Sequence, residues 1–331
     1  MEIKAAEVAK LRQMTGAGMM DCKKALVEAN GDFERAKEII REKGKLVAAK
    51  RADRETSEGA AIAKVDGSKA IVVALGCETD FEAKNAEFQA LAEAIADAAI
   101  ANFPADKDAL MACVLADGRT VEMAVTEQTG KTGEKHVIVA YETIEAPYIS
   151  VYMHKITGKL AAVVGFSKSF DESVAKGVAM QVASMNPVAV SAESVPQNVV
   201  DAELKTATEK TKEELVKKAV DAALTKAGIN PAHVDSEAHI ESNQAKGWIT
   251  AEQAEQAREI IKTVSAEKAA NLPEQMVANI AKGRLQKFFK EQTLEEQGYQ
   301  MGDGKTSVKD VLKAADAEAK ILGFKRVSLT D

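Results

Sequence analysis

Apolar residues in the first part of the chain recur at helical spacing in three short segments. A glycine-containing loop at 15–18 and the pair Asn30-Gly31 separate the segments, because glycine permits the backbone angles that end a helix. Asp32 stands directly before the third segment and suits its N-cap. Gly44 is predicted to end that helix, and the charged, aperiodic stretch 45–57 is predicted to be a linker. The pattern predicts a three-helix module that is too small to be very stable alone, and therefore a recruiting module.

Two pairs of β-rich runs follow, and each pair is predicted to form a hairpin. The runs 60–65 and 69–76 flank Asp66-Gly67, a dipeptide typical of tight β-turns. The runs 148–153 and 159–166 form the second pair. Further strands are predicted at 136–145 and 322–329.

Alanine-rich helices are predicted after the two hairpins, at about 83–101 and 171–185. The stretch 69–106 loosely matches 159–190, since both contain a strand, a polar loop with a phenylalanine, an alanine-rich helix and a proline. We interpret this match as a weak internal duplication in which two α+β halves pack together.

Residues 196–270 carry no strand pattern and are rich in alanine, glutamate and lysine. One long helix is predicted up to a break at 228–231, and a return helix is predicted after Thr250. The segment is therefore predicted to be an antiparallel helical hairpin whose polar tip, about 229–249, is a solvated loop. Later helices are predicted at 275–291 and at about 307–320.

The composition argues against several classes of protein. Lys and Arg total 44 against 51 Asp and Glu, and the resulting net charge of −7 argues against a uniformly basic nucleic-acid binder. The N-terminus lacks the apolar core of a signal peptide, and no apolar run approaches the roughly 20 residues that span a bilayer. Cys22, Cys77 and Cys113 form no CxxC motif, which indicates free thiols in a reducing compartment and a cytoplasmic location.

The sequence shows no catalytic or metal centre. Gly130-Lys131-Thr132 and Gly304-Lys305-Thr306 imitate the end of a phosphate loop, but both lack the first glycine of that motif. His233 and His239 lie among acidic residues without a recognised metal-ligand spacing. We therefore predict a protein that is not an enzyme and that holds neither a cofactor nor a metal ion.

Two segments are candidates for binding another protein. Residues 11–26 form a helix–loop–helix with two adjacent methionines, a residue type common on binding surfaces, although plain core packing also explains them. Residues 78–85 place Asp80 and Phe81 at a strand-to-helix turn. Phe81 is either a wedge for a partner or a buried ring behind a helix N-cap, and the local pattern alone favours the buried ring.

Taken together, the two segments resemble the elongation factor Ts family, the guanine-nucleotide exchange factors of elongation factor Tu. The stretch LRQMTGAGMMDCKKAL at 11–26 and TDFEAKN at 79–85 carry the resemblance, with further matches at 152–154, 158–160 and 276–288. The resemblance implies an α+β fold with four parts. They are an N-terminal three-helix, ubiquitin-associated-like domain at 1–53, two α+β core subdomains at 54–147 and at 148–195 with 271–331, and an inserted antiparallel helical hairpin at 196–270.

The resemblance also implies contacts with elongation factor Tu in its GDP-bound and nucleotide-free states. The segment that disturbs the magnesium site of that partner would comprise Thr79, Asp80, Phe81 and Glu82, with Phe81 wedged between partner helices. Other matched contact positions are Arg12, Met19, Met20 and His154. The family's hairpin can mediate association, so a homodimer through 196–270 is a further prediction. We predict no direct nucleic-acid contact and no membrane contact.

Three departures from the family pattern bear on these expectations. Glu82 stands where the family usually has valine, and is expected to add a negative charge beside the wedge. The hairpin is longer than the common form, and the C-terminal helical extension of many members is not apparent. Two alternatives stay open: a non-catalytic adaptor associated with the translation machinery, and an enzyme with an unrecognised site.

Overall fold

The computed structural model describes residues 3–330, which contain thirteen α-helices, two single-turn 3-10 helices and two three-stranded antiparallel sheets. The predicted α+β class is confirmed. The chain divides into two compact units, one holding residues up to Val190 and from Gln297 onward, the other Ser191–Glu296. Within the described residues, no helix is both long and apolar enough to cross a bilayer.

The first three helices surround a small apolar core. They are α1 (Ala5–Thr15), α2 (Met19–Glu28) and α3 (Phe33–Lys50), and their buried side chains include Leu11 and Leu26. Asp32 caps α3 by accepting hydrogen bonds from the backbone amides of residues 34 and 35, as the sequence predicts.

The predicted end of α3 at Gly44 is wrong, because α3 continues to Lys50 and takes up the first part of the predicted linker. Gly44 lies against Gly130 of α7 (Val121–Thr132), and a Cβ atom added at Gly130 would lie 2.8 Å from the Cα of Gly44. Gly44 therefore serves the close crossing of two helices rather than the termination of one.

The first sheet has the strand order β1–β2–β3, formed by Glu58–Asp66, Lys69–Cys77 and Val137–Glu145. Asp66 pairs with Lys69 across the predicted Asp-Gly turn, so this hairpin is confirmed. Alternate residues of β2 pack on opposite faces, because side chains alternate along a strand. One set packs with α5 (Ala86–Asn102), and the other packs with the second sheet. Two short helices complete this region, α4 (Asp80–Ala83) and α6 (Lys107–Ala112).

The second sheet has the order β4–β5–β6, formed by Tyr148–Met153, Leu160–Phe166 and Ile321–Ser328. The predicted second hairpin and final strand are confirmed by these pairings. The sheet packs against α8 (Glu172–Met185), and α13 (Val308–Ala315) packs against α8 in turn. The expectation that α13 extends to about residue 320 is wrong, since it ends at Ala315.

The second unit is helical. Its elements are α9 (Gln197–Lys226), α10 (Glu237–Ala245), α11 (Ala251–Ala270) and α12 (Glu274–Gln292), and α9 packs against both α11 and α12. The predicted solvated loop at 229–249 is wrong, because this segment contains α10 and a small core. Apolar residues scattered through a polar stretch form that core, namely Ile229, Val234, Ile240 and Ile249.

Candidate partner-binding surface

A short turn between β2 and α4 presents Phe81 to solvent. Thr79 caps α4, since its hydroxyl accepts a hydrogen bond from the Glu82 amide at 3.3 Å. The Phe81 side chain that follows is 85% exposed. Local sequence correctly predicts the cap, but its preference for a buried ring is wrong. A large aromatic side chain left in water on an ordered helical turn is typical of a contact with another molecule.

Asp80 lies beside Phe81 on the same exposed face. Its carboxylate accepts a hydrogen bond from the Lys84 ammonium at 2.7 Å, one helical turn away. The Lys84 side chain holds the pKa of Asp80 below its usual range, and the carboxyl group therefore remains charged at neutral pH. The turn thus presents an aromatic ring next to a carboxylate.

Glu78 and Thr79, at the start of the turn, form hydrogen bonds with the segment that joins α7 to β3. The Thr79 hydroxyl and amide both donate to the carboxylate of Glu134, at 2.8 Å and 3.1 Å. The neighbouring Glu78 accepts a hydrogen bond from the Lys135 amide at 2.6 Å and pairs with Arg51 at 2.9 Å. The contacts with Glu134 and Lys135 connect the turn to residues 55 and 57 positions away in the chain, and the contact with Arg51 spans 27 positions.

Glu82 faces the interior, in contrast to Phe81 and Asp80. Its side chain is buried, and it accepts a 2.7 Å hydrogen bond from the Gln128 amide. Its carboxylate also lies 3.1 Å from Nε2 of His136, whose side chain is fully buried. The expectation that Glu82 adds a negative charge beside the exposed ring is therefore corrected, because its side chain is buried and hydrogen-bonded inside the molecule.

The buried thiol of Cys77 lies beneath the same turn and donates to the Thr79 carbonyl at 3.3 Å. Burial raises the pKa of Cys77 to about 12, and the nearby carboxylates of Glu134 and Glu82 act in the same direction. The group is therefore a thiol at neutral pH and not a nucleophile. Cys22 and Cys113 are free thiols as well.

A second exposed surface lies on the N-terminal helices. Arg12 near the end of α1, and Met19 and Met20 at the start of α2, are all exposed. Neither methionine packs inward, so core packing does not account for this pair. The surface is ordered by the loop between the helices, where Gly16 adopts a positive φ of 68°.

A third exposed site is the turn between β4 and β5. His154 is half-buried there, and its Nδ1 lies 3.0 Å from the Tyr152 hydroxyl. Ile156, two residues later, is 90% exposed, and sequence inspection did not select it. A lone apolar residue in an otherwise polar hairpin turn is the signal that could have identified it.

One helix supports both the N-terminal module and the Phe81 turn. The outer side of α7 carries Gly130 against α3, and Glu127 of α7 pairs with Arg41 of α3 at 2.8 Å. The same helix carries Gln128, which donates to Glu82 inside the turn. The sequence could not show this arrangement, because the partners lie far apart in the chain and follow no motif.

No cluster of three or more metal-ligating side chains occurs in residues 3–330. His239 pairs with Asp235, and the ring of His233 lies 5.5 Å from the ring of Trp248.

Comparison with known proteins identifies relatives along the whole chain. The family described as Elongation factor TS matches residues 78–331. The chain is 56% identical to the Elongation factor Ts of Phocaeicola vulgatus and 55% identical to that of Bacteroides fragilis, each over 329 residues and 99% of both chains. It is 41% identical to the Elongation factor Ts of Christiangramia forsetii over 332 residues, again across 99% of both chains.

Proposed function

Since the chain belongs to the elongation factor Ts family and is a translation elongation factor, we propose that it is the guanine-nucleotide exchange factor of elongation factor Tu. It would bind elongation factor Tu carrying GDP, promote GDP release and leave when GTP binds. We also propose that it acts in the cytoplasm and without an enzymatic step of its own.

The observation that carries this proposal is the exposed Phe81 on its fixed turn. In the proposed complex, the ring inserts between helices of the GTPase domain while Asp80 and the Thr79–Glu82 backbone approach the magnesium site. A buried aromatic anchor of this kind contributes strongly to an interface. Phe81 is available for the contact because folding of this chain leaves its ring in water.

The proposed mechanism acts on the partner's magnesium ion. Magnesium bridges and neutralises the phosphates of a bound nucleotide, so its displacement weakens the hold on GDP. The Asp80 carboxylate is charged at neutral pH and suits an approach to this cationic site. Since binding energies of nucleotide and exchange factor are coupled reciprocally, a factor that loosens GDP is itself released by incoming nucleotide.

Other surfaces would supply recruitment. Arg12, Met19 and Met20 would hold a helix of the GTPase domain, and adaptable methionine side chains suit such a contact. His154 would contact the partner from the second sheet. We further propose that the helical unit 191–296 mediates self-association or an additional contact with elongation factor Tu.

The test is release of fluorescent GDP from elongation factor Tu at increasing concentrations of the whole chain. We expect the release rate to rise with concentration and to saturate. If the chain binds elongation factor Tu without changing the rate, the adaptor alternative replaces exchange. If neither binding nor faster release occurs, the proposed partner is wrong.

A further inference from the structure

We propose that Glu82 is a positioning residue for nucleotide exchange, because its buried side chain fixes the turn that presents Phe81. This inference rests on the proposed exchange function. The Glu82 carboxylate lies one residue beyond Phe81 and receives hydrogen bonds from three directions. The donors are Gln128 at 2.7 Å, Asn85 at 3.2 Å and His136 at 3.1 Å.

The hydrogen bonds of His136 place a proton between its ring and Glu82. Nδ1 faces two acceptors, the Glu134 carbonyl at 3.0 Å and the Thr129 hydroxyl, whose own proton is directed to the Val125 carbonyl. Nδ1 therefore carries a hydrogen, and Nε2 needs a second one to bond with Glu82. Because Glu82 already accepts from two amides, the arrangement suits a ring that donates to the carboxylate from Nε2.

The surroundings keep this pair away from water and supply other titratable groups. Cys77 of β2 approaches from the sheet, and Glu134 approaches from the segment before β3. Phe88 of α5 lies with its ring 5.8 Å from that of His136, and α7 contributes Thr129 and Gln128. The Glu82–His136 contact is therefore enclosed by β2, α5, α7 and the segment before β3.

The consequence for exchange is preorganisation of Phe81. Thr79 is attached to Glu134 on one side of the ring, and Glu82 is attached to Gln128 and His136 on the other. The backbone that carries the ring is therefore fixed on both sides before a partner arrives. Binding then requires less ordering of the loop, and this lowers the entropic cost of inserting the ring.

The experiment measures the maximal rate of fluorescent GDP release from elongation factor Tu with the full chain. We expect Glu82→Ala to lower that rate about tenfold and to have no further effect when Phe81→Ala is already present. Glu82→Gln should retain most of the rate, because its amide oxygen still accepts hydrogen bonds.

A matched control separates positioning from general loss of stability. Gln181 is fully buried and bonds to Gln297 and to the Gln300 amide, on α8 and away from the turn. We expect Gln181→Ala to lower the melting temperature without changing the maximal rate. If Glu82→Ala does not fold, Gln128→Met removes one hydrogen bond at similar volume and should lower the rate about threefold.

Three outcomes would overturn the inference. The first is a folded Glu82→Ala chain with the wild-type maximal rate. The second is a Glu82→Ala substitution that lowers the rate as much in the Phe81→Ala background as in the wild type. The third applies if Glu82→Ala does not fold, and is a Gln128→Met chain with the wild-type rate. Failure of the wild-type chain to accelerate GDP release is a different result, which rejects the proposed function itself.

Discussion

At the scale of single residues, Phe81 has a large apolar side chain that contributes little to the fold. Because the ring is exposed, Phe81→Ala should leave the free energy of unfolding within about 0.5 kcal/mol of wild type. The same change should slow GDP release by removing an interface anchor, a loss of about 2 kcal/mol or roughly thirtyfold. Stopped-flow release of fluorescent GDP measures the effect.

Leu322→Ala is the control for this prediction, since Leu322 is an exposed apolar residue of β6 outside the proposed contacts. Its release kinetics should match the wild type. A folded Phe81→Ala chain with unchanged kinetics would show that the exposed ring has no role in exchange.

Glu78 should make the free energy of unfolding depend on pH in the acidic range. Burial opposes its ionisation, but the Lys135 amide and the Arg51 guanidinium outweigh burial and hold the pKa of Glu78 below its usual range. A carboxyl group with a lowered pKa in the folded state stabilises the fold above its unfolded pKa, and this stabilisation is lost as pH falls through the folded value. Glu78→Gln should therefore cost about 1 kcal/mol at neutral pH.

The difference between Glu78→Gln and wild type should narrow as the pH falls below about 4.3, where the unfolded carboxyl protonates. Urea unfolding at several pH values measures it, and Glu145→Gln on the exposed end of β3 serves as the control. A difference that stays constant from pH 7 to pH 3 would show that Glu78 is not charged in the folded protein.

At the scale of elements, the turn and capping residues predict much of the architecture, and tertiary contacts account for the errors. Asp66-Gly67 locates the first hairpin, because the hairpin turn requires a glycine with a positive φ, here 57°. Gly44 gave a wrong prediction, because it allows Gly130 of α7 to approach α3 closely and does not end α3. Likewise, the Thr79 cap is local and predictable, whereas the contacts that hold the Phe81 turn come from distant residues that the local pattern does not show.

Gly130→Ala tests the crossing of α3 and α7. The added Cβ would lie 2.8 Å from the Gly44 Cα, and this backbone atom can yield only if the helices separate. Overpacking destabilises a fold by about 1–3 kcal/mol, and the higher helix propensity of alanine offsets about 1 kcal/mol of this. We therefore expect Gly130→Ala to lower the free energy of unfolding by about 1–2 kcal/mol.

Gly283→Ala in α12 is the matched control, because no atom lies within 4 Å of its added Cβ. It should stabilise its helix by up to about 1 kcal/mol. Thermal unfolding compares the two variants. Equal effects of both substitutions would mean that the α3–α7 contact in solution is looser than the structure indicates.

At the scale of the whole molecule, recruitment and exchange are proposed to lie on separate surfaces. Replacing Met19 and Met20 by alanine should raise the half-saturating concentration for GDP release about tenfold, or about 1.4 kcal/mol, with the maximal rate unchanged. Both side chains are exposed, so the fold should persist. Met301→Ala, at another exposed methionine, is the control. A lowered maximal rate at unchanged half-saturation would contradict this division.

The helical unit offers a second test at this scale. Trp248 at its tip is 62% exposed, although Ile249 beside it is buried in the small core of that tip. Trp248→Ser therefore removes exposed surface without opening the core. We expect it to lower the solution mass measured by light scattering or the affinity for elongation factor Tu. If both stay unchanged, the exposed tip is not an interaction element.

The pairing of β5 with β6 has a consequence for synthesis of the chain on the ribosome. β5 is made early, but its neighbour β6 emerges only after the whole of residues 167–320. During that interval, one edge of an almost entirely apolar strand has no partner, and an open edge of this kind invites aggregation. The second unit falls within the delay and can fold on its own contacts. Nascent chains stalled before β6 should therefore be the aggregation-prone and chaperone-dependent species.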